Sequence, residues 1–295
     1  MERRYPLLMV DVFTRTPLLG NPVAVIPDAT GLGESEMQSV ARQLNLSETT
    51  FVEPAGSPGA DYGLRIFTPR RELRFAGHPS LGTAHALVEA GVFKVRGPRY
   101  NLRQETLAGI QSISVETADR ERRFFIEAPT PEVSAGPTLD DAAHALGVAL
   151  QDVAAQPLRI CTGVSWLIVP VASLAVARAL APDARRVDAL ASAHDCVGIT
   201  VFCKGAERPE ATLHVRSFAP GAGVPEDPAC GSGNACIGAF LAATGEPTPL
   251  TFTSEQGLEI GRDARVHVQV EARPQSISVS IGGEAVTILQ GELRL

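Results

Sequence analysis

The sequence predicts a protein of the α+β class that is built from two similar halves. Strand-like segments outnumber helical ones and do not alternate regularly with them, which argues against a doubly wound parallel sheet. The 295 residues are 44% hydrophobic and 20% charged, a composition typical of a globular chain long enough for two domains. Motifs repeated in the same order in both halves indicate the same division.

The first half combines strand-like runs with two predicted helices. The runs LLMVDVF and PVAVI are separated by a Gly-Asn-Pro turn signal. Apolar residues at helical spacing in GESEMQSVARQLN predict a helix, after which SETTFVEP and DYGLRIFTP predict a return to strand. The segment HPSLGTAHALVEAG predicts a second helix, with Pro79 at its first position and Gly91 just beyond its end.

The proline-rich stretch PTPEVSAGPT marks the boundary between the halves and predicts domains 1–125 and 126–295. In the second half, TLDDAAHALGV predicts a helix capped by Thr138, and SLAVARALAP predicts another. Strands are expected at VSWLIVPV, VGITVFCKG and TLHVRSFAP, and again in the segments from LTFTSEQG to EAVTILQGELRL.

Charge and cysteine usage argue against several classes of protein. A net charge of −7 and a pI near 5.4 disfavour a nucleic-acid or anionic-membrane binder. No apolar run approaches the roughly 20 residues that span a bilayer, and the N-terminus lacks a signal-peptide pattern. Five scattered cysteines without a CxxC, and six histidines without ligand spacing, predict no metal site and no disulfide framework. We therefore expect a reduced, cytoplasmic protein.

Two repeated motifs indicate an internal duplication. RIFTP, from Arg65, matches RSFAP, from Arg216, and HPSLGTAHAL, from His78, matches DPACGSGNAC, from Asp227. Each copy predicts a strand ending in proline, a loop and a helix start. Helix starts carry free amides and the positive end of a dipole, so two that face one cleft could hold a carboxylate or an oxyanion. His78 and Asp227 would then lie at the mouth of that cleft.

The residue patterns leave alternatives open. His78 and Asp227 could be simple N-caps, although histidine caps less well than aspartate. The CGSG turn resembles phosphate loops, but neither GxxxxGK[ST] nor GxGxxG is present, so we reject that interpretation. Cys230 at a helix start could be a thiolate nucleophile or a buried space-filling thiol. Spacing alone does not single out Glu48, because a loop glutamate is usually solvated.

Several separated motifs follow one another along the chain: DVFTRTPLLGNPVAVI, LNLSETTFV, RIFTPRRELRFAGHPSLGTAHAL, HVRSFAPGAGVPEDPACGSG and the C-terminal SEQG and GGEAV segments. In this order they resemble the PhzF-like isomerase family of the diaminopimelate-epimerase superfamily. The resemblance covers nearly the whole chain. It implies two pseudo-symmetric domains, each a curved, mostly antiparallel sheet wrapped around a central helix, with the last strand, about 284–295, packing on the first domain. It also implies a homodimer and catalysis without a cofactor.

The resemblance also implies roles for individual residues. Glu48 matches the family's proton-shuttling acid–base, and His78 and Asp227 match the polar catalytic residues that face it. The residues expected to bind the substrate, a small carboxylate, are Gly77, Cys230, Gly231 and Ser232.

One departure from the family pattern keeps the reaction open. Phenazine-type members usually read DPATGSA where this chain has DPACGSG, and Cys230 resembles the thiol of the epimerases and racemases. Those enzymes need two opposed thiols, whereas Ala76 stands at the first-domain counterpart. The leading hypothesis is an isomerase that moves a proton between carbons through Glu48. The alternatives are a one-thiol amino-acid epimerase or racemase using Cys230, and a non-catalytic ligand-binding protein on the same scaffold.

Overall fold

The chain folds into two compact units. A computed structural model describes residues 2–118 and 121–295. The first unit comprises Met1–Glu127 together with Gly282–Leu295, and the second comprises Ala128–Ile281. The chain passes from the first unit to the second between Glu127 and Ala128, just before the proline-rich stretch PTPEV.

The bounds of the strands and helices follow the chain. The described residues form the strands β1 (Arg4–Val12), β2 (Asn21–Ile26), β3 (Glu48–Glu53), β4 (Tyr62–Phe67), β5 (Glu72–Leu73), β6 (Arg99–Thr106), β7 (Gly109–Ala118), β8 (Glu121–Glu127), β9 (Glu132–Ala135), β10 (Leu158–Cys161), β11 (Ser165–Pro170), β12 (Ile199–Lys204), β13 (Leu213–Ala219), β14 (Val224–Asp227), β15 (Leu250–Gln256), β16 (Ala264–Arg273), β17 (Ser276–Gly283) and β18 (Ala285–Arg294). They also form the helices α1 (Glu34–Leu44), α2 (Gly77–Glu89), α3 (Leu139–Leu146), α4 (Leu174–Ala179), α5 (Ala184–Ala193) and α6 (Gly231–Ala243). Among the described residues, no helix is both long enough and apolar enough to cross a membrane.

The sheet of the first unit curves around helix α2. Its strands pair in the order β18-β1-β2-β3-β4-β6-β7-β8, with parallel pairs β2–β3 and β4–β6 and the rest antiparallel. Strands from both ends of this order, β18 and β1 at one end and β8 at the other, pack on α2. The helix is buried on nearly all sides, as expected for an apolar helix inside a sheet. Helix α1 packs on the outer face through Met37, Val40 and Ala41.

The second unit repeats this arrangement around helix α6. Its strands pair in the order β9-β10-β11-β12-β13-β15-β16, with parallel pairs β11–β12 and β13–β15. Helix α6 packs on β9, β10, β11, β15 and β16, and it is buried from Gly233 to Leu241. Helices α3, α4 and α5 lie on the outer apolar cluster. The predicted α+β fold with a central helix in each half is therefore confirmed.

Local signals fixed some helix ends and missed others. Thr138 caps α3 by accepting a hydrogen bond from the Asp141 amide, as predicted. Gly91 follows α2 with φ of +74°, the left-handed conformation expected there. Pro79 is not the first residue of α2, because the helix begins at Gly77; proline is tolerated one turn into a helix since that turn's amides lack intrahelical acceptors. Helix α5 was not predicted, and its only buried residues are Val187 and Ala191.

The duplication extends to individual ion pairs. Arg65 on β4 binds Glu72 on β5 through two hydrogen bonds of 2.7 Å. Arg216 on β13 binds Glu226 on β14 in the same two-pronged way at 2.8 Å. The two arginines are the residues that the RIFTP and RSFAP motifs match, so the strand part of the predicted repeat is confirmed.

The second part of the predicted repeat was aligned wrongly. Leu73 pairs with Ile66, and Asp227 pairs with Ser217 at the same level of the second unit, so Leu73 is the counterpart of Asp227. Helices α2 and α6 each have 13 residues, so His78 and Ser232, the second residue of each, correspond. The dipeptides His78-Pro79 and Asp227-Pro228 are similar in sequence but do not occupy equivalent positions, because the second copy has three more residues in the preceding turn.

Candidate active site

Glu48 is a buried carboxyl group at the first position of β3. It follows α1, whose C-cap Asn45 has φ of +51° and turns the chain toward the strand. Its side chain is 16% exposed. Burial raises the pKa of Glu48 to about 7, against a smaller lowering effect of a hydrogen bond from the Ser47 side chain. A carboxyl group of this pKa exists in both protonation states near neutral pH.

His78 faces Glu48 from the first turn of α2. The distance from His78 Nε2 to Glu48 Oε2 is 3.5 Å, and the imidazole is 10% exposed. Close packing of α2 on the sheet fixes this approach, because a Cβ on Gly82 would lie 2.5 Å from the side chain of Val23. Val23 is the β2 residue paired with Glu48. The helix, the strand pairing and the glycine together hold an acid and an imidazole side by side.

Asp227 belongs to the second unit and ends strand β14. Its Oδ1 accepts a hydrogen bond from the Ala229 amide at 3.0 Å, and its carbonyl accepts one from Gln256 Nε2 at 2.9 Å. Neither Asp227 nor His78 is an N-cap, so that alternative is wrong. The N-caps are Cys230 for α6 and Ala76 for α2.

Cys230 caps α6 with its sulfur. Its Sγ accepts a hydrogen bond from the Gly233 amide at 3.3 Å and lies 3.6 Å from Ser232 Oγ. Burial raises the pKa of the Cys230 thiol well above its ordinary value, and the negative charge of Asp227 raises it further. The thiol is therefore protonated at neutral pH, which disfavours a thiolate nucleophile or base.

The helix starts leave several amides available to a ligand. Within residues 2–118 and 121–295, the amides of Gly77, Gly231 and Ser232 donate to no acceptor. Ser232 Oγ accepts a hydrogen bond from the indole Nε1 of Trp166 at 2.9 Å. Unpaired amides at the positive end of a helix dipole suit a carboxylate.

Three buried residues near these side chains escaped the sequence analysis. Gln256 Oε1 accepts from the Cys230 amide at 3.2 Å and from Asn234 Nδ2 at 3.0 Å, while its Nε2 binds the carbonyl of Asp227. Asn234 is fully buried in an otherwise apolar helix, and that mismatch was the one available signal. Trp166 sat inside a predicted buried strand, where it was indistinguishable from core.

Fold and site together define an epimerase-like enzyme scaffold: two duplicated α+β units, each with a central helix whose first turn carries polar site residues. A family model described as "Phenazine biosynthesis-like protein" (PhzC-PhzF) matches residues 10–291. The chain belongs to this family and is an isomerase.

Individual relatives agree with the assignment over nearly full length. The chain is 36% identical over 290 residues to "Antisense-enhancing sequence 1" of Schizosaccharomyces pombe, covering 96% of each chain. It is 35% identical over 298 residues to trans-2,3-dihydro-3-hydroxyanthranilate isomerase of Pseudomonas chlororaphis, covering 98% of this chain and 99% of the relative.

Solved structures extend the likeness to the fold. A PhzF-family protein of Bacillus anthracis has a TM-score of 0.90 at 29% identity, with 99% of each chain covered. A hydroxyproline epimerase from Agrobacterium vitis, crystallised with trans-4-hydroxy-L-proline, has a TM-score of 0.66 at 16% identity, covering 99% of this chain and 92% of that one. At that identity the second likeness concerns the fold alone.

Proposed function

We propose that this protein is a cofactor-independent isomerase that moves a proton between two carbons of a small carboxylate substrate. Glu48 is the acid–base, and the observation that carries the proposal is its buried carboxyl group with a pKa of about 7 beside His78. A group of this pKa removes a proton as carboxylate and returns one as carboxylic acid at the pH of the cell.

The proposed cycle has two proton transfers. In the first, the Glu48 carboxylate takes a proton from an activated carbon, and the electron pair of the broken C–H bond moves into the conjugated system of the substrate. In the second, the Glu48 carboxylic acid protonates another carbon of that system. No atom is gained or lost, which makes the reaction an isomerisation. His78, 3.5 Å from Glu48, is within reach to share the proton or to bind a polar substrate group.

Binding of the carboxylate is assigned to the second unit. Gly231 and Ser232 offer amides and a hydroxyl, and Asp227 offers a second carboxylate for polar groups of the substrate. The first compound to test is trans-2,3-dihydro-3-hydroxyanthranilate, the substrate in the name of the Pseudomonas relatives.

The one-thiol epimerase is the weaker candidate. It requires Cys230 as thiolate, whereas the buried sulfur caps α6 and has a raised pKa. A non-catalytic binding protein would have no need for a carboxyl group held near neutrality.

The experiment that tests the proposal compares wild type with Glu48→Gln in heavy water. Wild type should convert a substrate while incorporating solvent deuterium at the receiving carbon, and Glu48→Gln should bind the same compound with turnover lower by roughly three orders of magnitude or more. Glu53→Gln, at the other end of β3, is the matched control and should keep wild-type turnover. Near-wild-type turnover in Glu48→Gln contradicts the proposal.

A further inference from the structure

The second unit has no counterpart to the Glu48 carboxyl group. Thr49 pairs with Phe67 in the first unit as Ile199 pairs with Phe218 in the second, so Gly198 stands where Glu48 does. A Cβ on Gly198 would lie 2.1 Å from the Phe218 carbonyl oxygen and 2.9 Å from the ring of Trp166. No side chain fits there without displacing one of these groups.

The indole of Trp166 lies beside this glycine. Leu167 pairs with Ile199, which puts Trp166 on β11 at the level of Gly198, as Val23 on β2 pairs with Glu48. Trp166 is 4% exposed. Its Nε1–H donates to the hydroxyl of Ser232, the residue equivalent to His78. An indole–hydroxyl pair in the second unit therefore replaces the carboxyl–imidazole pair of the first.

We propose that Trp166 is a positioning residue that commits the second unit to binding the substrate carboxylate, by fixing the Ser232 hydroxyl as a hydrogen-bond donor to it. This inference rests on the proposed function and names a residue that carries it. An indole N–H donates and cannot accept, so Ser232 Oγ must accept from Trp166 and keeps its own hydrogen for another partner. The competing partner, Cys230 Sγ at 3.6 Å, is a weak acceptor.

The indole also makes the chemistry of the second unit different from that of the first. A carboxylate at position 198 would repel the substrate carboxylate, and each of the two groups would raise the pKa of the other. With Gly198 beside the ring of Trp166, there is no room for such a carboxyl group. The indole N–H instead donates a hydrogen bond to Ser232. Packing alone would be satisfied by phenylalanine, so the N–H is the atom under test.

The test uses Trp166→Phe, which keeps a buried ring but removes the N–H, together with Ser232→Ala and the double variant. With trans-2,3-dihydro-3-hydroxyanthranilate as substrate, loss of one hydrogen bond should raise KM about 3- to 10-fold in Trp166→Phe while kcat stays within about twofold. The double variant should match Ser232→Ala, because Trp166 acts through Ser232. The pH dependence that Glu48 sets should not move.

The matched control is Phe202→Leu, a buried aromatic residue of the neighbouring strand β12 that packs on Phe240 of α6. It should lower stability without raising KM. Equal KM increases in Trp166→Phe and Phe202→Leu would reduce Trp166 to packing and overturn the inference, as would unchanged KM in Trp166→Phe or additive effects in the double variant.

A second readout needs no turnover. Trp166 is the only tryptophan of the sequence, so the protein has a single indole N–H resonance. Titration with benzoate, succinate and trans-2,3-dihydro-3-hydroxyanthranilate should shift this resonance saturably in wild type, with dissociation constants about 3- to 10-fold tighter than those that calorimetry gives for Trp166→Phe. If none of the carboxylates shifts it, the inference is wrong. If Glu48→Gln keeps full turnover while Trp166→Phe still weakens carboxylate binding, the proposed function fails and the role of Trp166 stands.

Discussion

Glu48 Oε2 lies 3.5 Å from His78 Nε2, and both side chains are largely buried in the first unit. Strand β3 supplies the acid and helix α2 supplies the imidazole. Burial is the main cause of the raised Glu48 pKa. This pKa should therefore affect both the pH dependence of the catalytic rate and the pH dependence of protein stability, and the two can be measured separately.

The first prediction concerns the pH dependence of catalysis. The Glu48 carboxylate is the form that removes the proton, so kcat/KM should rise with pH up to a midpoint near the pKa of about 7 and then level off. Initial rates over roughly pH 5 to 9 give the midpoint. A rising limb centred near the ordinary glutamate value would mean that the active carboxyl group is not the buried one.

Shortening the acid tests the geometry of the pair. Glu48→Asp withdraws the carboxyl group by one methylene from its position 3.5 Å from His78, and a displacement of about 1 Å can cost roughly 100-fold in rate. We expect kcat to fall by about that factor, with KM changed little. Glu53→Asp, on the same strand, is the control and should leave kcat at the wild-type level. A kcat for Glu48→Asp within a few-fold of wild type would contradict the assigned geometry.

The raised pKa of Glu48 should also appear in the stability of the protein. The folded state holds the proton up to a pKa of about 7, above the ordinary value of 4.5. The raised pKa of Glu48 therefore contributes stability that is fully present below pH 4.5. The free energy of unfolding falls as the pH rises through the folded pKa, by up to about 3 kcal/mol before solvent screening.

Glu48→Gln removes this titration, so its melting temperature should gain on that of wild type between about pH 5 and pH 8. Thermal melts of both proteins in matched buffers measure the difference. A constant difference across this range would show that Glu48 titrates normally.

Cys230 should act as a helix cap and not as a catalyst. Cys230→Ser keeps an acceptor for the Gly233 amide, so turnover should stay within about threefold of wild type. Cys230→Ala loses the cap and should lower the free energy of unfolding by about 1 kcal/mol. Steady-state rates and denaturant unfolding measure the two effects. Loss of turnover in the serine variant, with folding intact, would favour the one-thiol epimerase.

Hydrophobic periodicity and turn residues predicted the α+β class and most strands and helices, because those signals are local. The RIFTP and RSFAP match also found the duplicated Arg65 and Arg216. The helix registers were out of reach, since the three extra residues before Asp227 lie in a turn whose length no periodicity fixes. The hydrogen bond from Trp166 to Ser232 was equally hidden, because 66 residues separate them and only the packing of α6 on β11 brings them together.

Candidate residues divided in the same way. The resemblance, and not the spacing, identified Glu48, since its burial results from tertiary packing of β3 against α2. The assignments of Glu48, His78 and Asp227 as catalytic, and of Gly77, Cys230, Gly231 and Ser232 as substrate-binding, stay predictions for the experiments above. The repeat in the sequence selected Asp227 as a candidate because it was aligned with His78, whereas the structural counterpart of Asp227 is Leu73.

The loop between Asp227, at the end of β14, and helix α6 should depend on the buried side-chain amide of Gln256. Gln256 binds the Asp227 carbonyl, the Cys230 amide and Asn234, and it is fully buried. Gln256→Glu keeps an acceptor but replaces the donor to Asp227 with an oxygen, which leaves the carbonyl unpaired and opposed by a lone pair.

The matched control for this variant is Gln104→Glu in the first unit. Gln104 is also fully buried, and its amide nitrogen donates to Ser80 Oγ at 2.8 Å. Gln104→Glu and Gln256→Glu should therefore each lower the free energy of unfolding by about 1 to 3 kcal/mol. Hydrogen exchange then separates the two variants. Amides from Ala229 to Gly233 should exchange faster in Gln256→Glu and not in Gln104→Glu, and KM should rise only in the former. Equal exchange of this segment in both variants would mean that the loop is held by the fold as a whole and that Gln256 has no special part in positioning Asp227.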